Sequence, residues 1–219
     1  MTTLSFIIAS IVIFIVYTLY TKTDAKKRES YLESYKFPQR LSETLLRTYP
    51  HLSSSDVELV IRGLREYFYV CNIAGKRMVA MPSQAVDVVW HEFILFTREY
   101  DSFCQKGLGR FLHHTPAEAM KSKNVAQEGI KTAWRISCHR ENINVKSPSK
   151  LPLLFALDAM LAIEDGFFYS LNCSAKDASG YCAGDIGCGG GCAGDSGGTS
   201  DSSSSSDGGS GCGGGCGGS

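Results

Sequence analysis

From Leu4 to Tyr20 the chain reads LSFIIASIVIFIVYTLY, seventeen residues without a charge, and no other feature limits its architecture as strongly. A helix of this length rises about 1.5 Å per residue and nearly spans the ~30 Å hydrocarbon core of a bilayer. Tyr17 and Tyr20 close the run, and Lys22, Lys26, Lys27 and Arg28 follow it. A cleaved signal peptide needs positive charge before the apolar run and a small-x-small site after it, and this sequence has neither. The expectation is therefore a transmembrane anchor over residues 1–21, with the lipid bilayer as partner through residues 4–20, and a basic juxtamembrane linker over 22–33. Because the Lys and Arg lie on the C-terminal side, the positive-inside rule places the N-terminus outside and the rest in the cytoplasm.

Formal charge sums to zero, but the sum conceals an asymmetry. Up to Lys176 there are 22 basic and 17 acidic residues, and beyond it five Asp and no Lys or Arg, so a +5 body carries a −5 tail. A modest positive excess beside an anchor suits an anionic lipid surface, and without a basic stripe interleaved with aromatics nucleic acid is excluded as a partner. The nine cysteines are not the even, closely spaced framework of a secreted disulfide scaffold. Cys71, Cys104 and Cys138 fall within apolar helical patterns and read as small buried hydrophobes, which agrees with a reducing compartment.

Residues 34–172 read as a helical domain. Ser55-Asp56-Val57-Glu58 has the form of a capping box, and Val57, Val60, Ile61, Leu64, Tyr67, Phe68 and Cys71 follow at helical spacing until Gly75. Pro82-Ser83 opens a helix whose apolar stripe runs through Val86, Val89, Trp90, Phe93, Tyr100 and Phe103 to stops at Gly107 and Gly109. Thr115-Pro116-Ala117-Glu118 starts another, continuing through Ala126, Ile130, Ala133, Trp134 and Ser137, in which Gly129 costs about 1 kcal/mol relative to Ala. Leu151 to Phe168 carries Asp158 and Glu164 and so reads as a core helix, not a second span. The fold class expected is mainly α, with four to five packed helices and no need for a sheet.

Residues 173–219 form a glycine-, serine- and cysteine-rich tail. With 17 glycines beyond Ser179 and no Leu, Val or Phe there, burial cannot offset ordering entropy and disorder is expected. Gly187-Cys188-Gly189-Gly190-Gly191-Cys192 recurs as Gly211-Cys212-Gly213-Gly214-Gly215-Cys216, so Cys188, Cys192, Cys212 and Cys216 offer a tetrathiolate site to zinc or copper(I). Ordering about ten Gly-rich residues costs on the order of 10–15 kcal/mol, comparable to the ~10–16 kcal/mol a structural zinc supplies, and low-complexity drift is the alternative origin of the repeat. Gly194-Asp195-Ser196-Gly197-Gly198 spells a chymotrypsin-like nucleophile loop, yet the β-barrels and histidine segment that such a serine requires are missing from the pattern.

Chemistry concentrates around Asp87, Trp90 and His91. Asp87 and His91 stand four apart on one helix face, where a carboxylate can hold a ring N–H, and Cys104, His113 and His114 follow downstream. Three readings apply to the pair: a structural contact beside Trp90, a metal site, or acid–base catalysis. His91-Glu92-Phe93-Ile94-Leu95 departs from the zinc-protease pattern at Leu95, where the second ligand would stand. The stretch Ala85 to His91, with Tyr100, Cys104 and His113, resembles the D-x-x-W-H, Tyr and Cys signature of the glycine-rich domain-containing protein-like family of plants and bacteria. The likeness covers about Ser34 to Phe168 and takes in Pro82 and the Leu-Phe-x-Leu-Asp segment ending at Asp158; many relatives carry a second His where Phe93 stands. It implies a helical domain with a glycine-rich tail and no established reaction. Three functions are thus in play: a membrane-anchored interaction or scaffold module with a protein partner, a metal-handling protein using the tail cysteines or the His91 region, and a Cys/His-dependent enzyme built on Cys104.

Overall fold

A computed structural model describes residues 2–114, 123–171, 181–183 and 186. They form a mainly helical protein: α1 Thr2–Ser34, α2 Gln39–Thr48, α3 Ser54–Ala74, α4 Gln84–Leu95, α5 Thr97–Leu108, α6 Lys123–Arg140 and α7 Leu153–Met160. α3 is the central element and packs against α1, α2, α4, α5, α6 and α7. Its Phe68 lies under an aromatic cluster in which Phe103 sits 4.7 Å from it and Phe93 and Tyr35 sit 5.2 and 4.6 Å from Phe103, centroid to centroid. Pairs at these separations add to the area they bury.

Residues 22–33 are not a linker. They continue α1 into the domain, where Leu32 is buried and Arg28 donates to the Leu108 carbonyl at 3.0 Å. Arg65 of α3 closes the helix by donating to the carbonyls of Leu32, Glu33 and Tyr35. One guanidinium thereby satisfies groups that a helix C-terminus otherwise leaves open. At the other end of α1, Phe6, Ile7, Ile8 and residues 11–16 are exposed. Among the described residues no helix is long and apolar enough to cross a membrane; the run Leu4 to Tyr20 includes side chains outside that set.

Several boundaries differ from the sequence expectation. The capping box of α3 is Ser53 with Asp56, whose carboxylate accepts from the Ser53 amide at 2.8 Å, and not Ser55 with Glu58. Both pairs satisfy the same local pattern, and starting at Ser53 gives the shorter Asp side chain the reach-back role. The stripe from Val86 to Phe103 is broken at Phe96, where the carbonyl of Phe93 takes the Phe96 amide and a new helix starts. The bend lets Phe93 and Phe103 meet one ring, Phe68. The run Leu151 to Phe168 is helical only to Met160, because Ala162 takes φ 49° and the chain folds back.

Burial also passes beyond residue 172. Tyr169–Ser170 (β1) pairs in parallel with Tyr181–Cys182 (β2), and Ala183 and Ile186 are buried in the core, so the domain takes in residues that composition assigns to the tail. Cys71, Cys104 and Cys138 are free and buried, whereas Cys182 is disulfide-bonded. The Thr115–Glu118 capping box lies outside the described residues. Gly129 has a packing reason: a Cβ there would lie 2.9 Å from the Ala80 backbone nitrogen.

Candidate metal centre

The start of α4 is held in two ways. Ser83 caps it by accepting from the Val86 amide at 3.3 Å, and Asp158 of α7 covers its first turn. The Asp158 carboxylate accepts from the Ser83 hydroxyl at 2.6 Å and from the amides of Gln84, Ala85 and Phe167 at 2.7, 3.3 and 2.8 Å. A buried carboxylate on a helix N-terminus is favourable because the unpaired amides and the helix dipole both meet negative charge. Asp87 and His91 project from the helix so fixed.

The partner that completes the pair arrives from a different element. Trp90 donates its indole N–H to the Tyr100 hydroxyl at 3.1 Å, and Tyr100 donates to the Leu112 carbonyl at 2.6 Å. Burial holds the Tyr100 phenol well above its usual range, so it stays a neutral donor. Gly109, in the left-handed region at φ 67°, ends α5 and turns the chain back past this hydroxyl. His114, two residues beyond Leu112, thus lies edge-on to Trp90 with centroids 4.7 Å apart.

Asp87 Oδ2 lies 3.4 Å from His91 Nδ1, and Asp87 Oδ1 lies 3.3 Å from His114 Nε2. One ligand atom from each residue falls within 4.8 Å of the others, and the two imidazole centroids are 4.1 Å apart. These separations exceed the ~2.9–3.0 Å of an ordinary N–H···O bond. The two imidazoles face different oxygens of the Asp87 carboxylate, the His114 contact being a long hydrogen bond, and a shift of these side chains would bring one atom from each to the ~2.0–2.1 Å bonds of a zinc site. His114 and Asp87 side chains are 17% and 18% exposed and His91 is 52% exposed, so the cluster has a solvated side where water or another ligand can complete a coordination shell.

Of the sequence candidates, Asp87, His91 and His114 come together with Trp90 beside them. His113 packs on Phe111 at 4.8 Å instead. Cys104 is fully buried next to Tyr100, and burial pushes its thiol pKa up, the opposite of what a nucleophilic thiolate requires. Phe93 is buried in the aromatic cluster, so the second imidazole comes from the segment after α5 and not from the position two residues past His91. Cys188, Cys192, Cys212 and Cys216, like Ser196, lie outside the described residues. Sequence reasoning missed the carboxylate of Asp158 as the clamp on the helix that carries the site.

Fold and site together define a helical domain with a two-histidine, one-carboxylate cluster at the first turns of a clamped helix. A family model matches residues 27–189, and the chain belongs to the UCP032817-like family. No curated protein and no solved structure matches it.

Proposed function

We propose that this chain is a membrane-tethered helical module that binds a divalent first-row metal ion, zinc foremost, through Asp87, His91 and His114. The observation that carries the reading is the convergence of two imidazoles and one carboxylate from separate segments, one ligand atom from each within 4.8 Å of the others, with a solvated side at His91. Two imidazoles and one carboxylate leave open positions on an ion, as in catalytic sites and exchangeable carrier sites and unlike closed structural ones. An anchor over residues 4–20 is supported by the exposed apolar front of α1 and by its unbroken passage into the domain. The charge flanking the apolar run supports a cytoplasmic domain and the disulfide at Cys182 supports an oxidising side; thiol labelling in intact cells distinguishes the two. Kinship with the glycine-rich domain-containing protein-like family belongs to the same proposal, as does a protein partner.

The test is elemental analysis of the full chain in detergent micelles, purified under reducing conditions and dialysed against zinc. One zinc per chain is expected, retained when Cys188, Cys192, Cys212 and Cys216 are changed together to Ser, and lost in Asp87→Asn and in His91→Ala with His114→Ala. Absence of stoichiometric zinc, or zinc that survives the double histidine variant, refutes the reading. Retention in the double histidine variant with loss in the serine variant would move the ion to the tail.

A further inference from the structure

Behind His114 lies a cavity of about 290 Å³, between the end of α3 and the segments 76–81 and 110–114. Its size is at the lower end for a pocket that takes a small molecule, roughly 300 Å³. Tyr67 and Trp90 supply an aromatic wall, their rings 5.0 Å apart. Lys76, Arg77 and Arg110 line it as well, and no Asp or Glu does so among the described residues.

The cations are there for local reasons. Gly75, at φ 62°, stops α3 and turns the chain so that Lys76 and Arg77 follow at once. Arg77 Nε donates to the Ala74 carbonyl at 3.2 Å, and Arg110 donates to the Cys71 carbonyl at 3.4 Å. Each contact engages one of the five N–H groups of a guanidinium and restrains the side chain at the cavity. Positive charge of one sign over a low-dielectric wall focuses a field that draws anions, and guanidinium forks match carboxylate and phosphate oxygens.

We infer that this cavity takes a small organic molecule bearing an oxyanion, held by Arg77 and Arg110 with its apolar part against Tyr67 and Trp90. The inference goes beyond the metal reading and does not depend on it, since none of the three cationic side chains is a ligand. The two sites nonetheless share a wall, because His114 lines the cavity and also belongs to the cluster. A molecule seated here lies beside any ion held there.

The experiment follows tryptophan fluorescence of the full chain in detergent micelles after treatment with a chelator, during titration with inorganic phosphate and separately with benzoate. Trp90 is the reporter; Trp134 is buried elsewhere against Phe155, 5.0 Å away. A saturable change is expected with at least one anion. Its Kd should rise at least tenfold in Arg110→Gln and in Arg77→Gln, and the change should vanish in Trp90→Phe. No saturable change up to about 10 mM, equivalent to binding weaker than roughly 3 kcal/mol, overturns the inference. So does an unaltered Kd in both arginine variants. Arg77 is exposed, so its variant reports even if Arg110→Gln disturbs the fold. Anion binding by a protein that holds no zinc refutes the metal reading alone; zinc without anion binding refutes this one alone.

Discussion

Asp158→Asn should lower stability by about 2–3 kcal/mol, and the size follows from the four donors its carboxylate serves. The side-chain carbonyl of Asn can replace Oδ2 and keep the Gln84 and Phe167 amides. Its NH₂ then stands where Oδ1 was, able to donate to the Ser83 hydroxyl but opposing the Ala85 amide, which is left without an acceptor. A buried donor stranded in this way costs about 1–3 kcal/mol, and losing the negative charge at the α4 N-terminus adds about 0.5–1 kcal/mol. Asp158→Ala removes every acceptor at once and should cost about 4 kcal/mol or more, near the lower end of total domain stability. For a chain of this size each kcal/mol moves the melting temperature by about 2–4 °C, so Asn should lower it by roughly 5–10 °C. Far-UV circular dichroism of the full chain in micelles measures both variants. A melting temperature for Asn within about 1 °C of the parent, or an Ala variant no worse than Asn, would show that the carboxylate is not the clamp described.

Tyr100→Phe leaves the Trp90 N–H and the Leu112 carbonyl unpaired and should cost about 2–4 kcal/mol; as the tether of His114 it should also weaken zinc about tenfold, as outer-shell changes do. Chemical unfolding and zinc competition read the two effects separately, and unchanged zinc affinity in a destabilised variant refutes the positioning role. Burial pushes the Cys71 and Cys138 thiols up to about 12. Because the folded values are raised, their stabilisation is full below the ordinary thiol pKa of about 8.5 and is lost as pH climbs toward 12. Stability should therefore fall above about pH 9, and alkylation at pH 8 followed by mass spectrometry should leave both thiols unmodified until denaturant is added; rapid labelling of the native chain would contradict their burial.

Local signals in the sequence carried as far as their own chemistry reaches. Gly75 and Gly109 stop α3 and α5 because both take positive φ, and Pro82-Ser83 starts α4 through a cap three residues long. The Phe96 break has no glycine or proline to announce it; it exists because two phenylalanines from successive helices meet Phe68, which is a tertiary demand. α7 ends early for a similar reason. Asp158 looks like a charge inside an apolar helix, yet its hydroxyl partner lies 75 residues away, and folding the chain back over it brings in the Phe167 amide. Asp87 and His91 were legible as an i, i+4 pair, whereas choosing His114 over His113 required the tether from Trp90 through Tyr100 to Leu112. Cys104 kept its helical register and lost its chemical role, since the same spacing that aligns it with Tyr100 buries it.

The clamp and the cluster act on one helix, and this ties stability to occupancy. Asp158 fixes the α4 N-terminus from the α7 side, while Asp87, in the first turn, faces the two imidazoles from outside. An ion that binds the folded cluster and not the unfolded chain adds about 2.7 kcal/mol when present at 100 times its Kd. That is close to what Asp158→Asn removes, so zinc should return most of the lost melting temperature to the Asn variant. It should return none to Asp87→Asn, where a ligand is gone. Equal zinc rescue of both variants would mean that the ion acts somewhere other than this helix, while rescue confined to Asp158→Asn binds the fold, the clamp and the metal reading into one account.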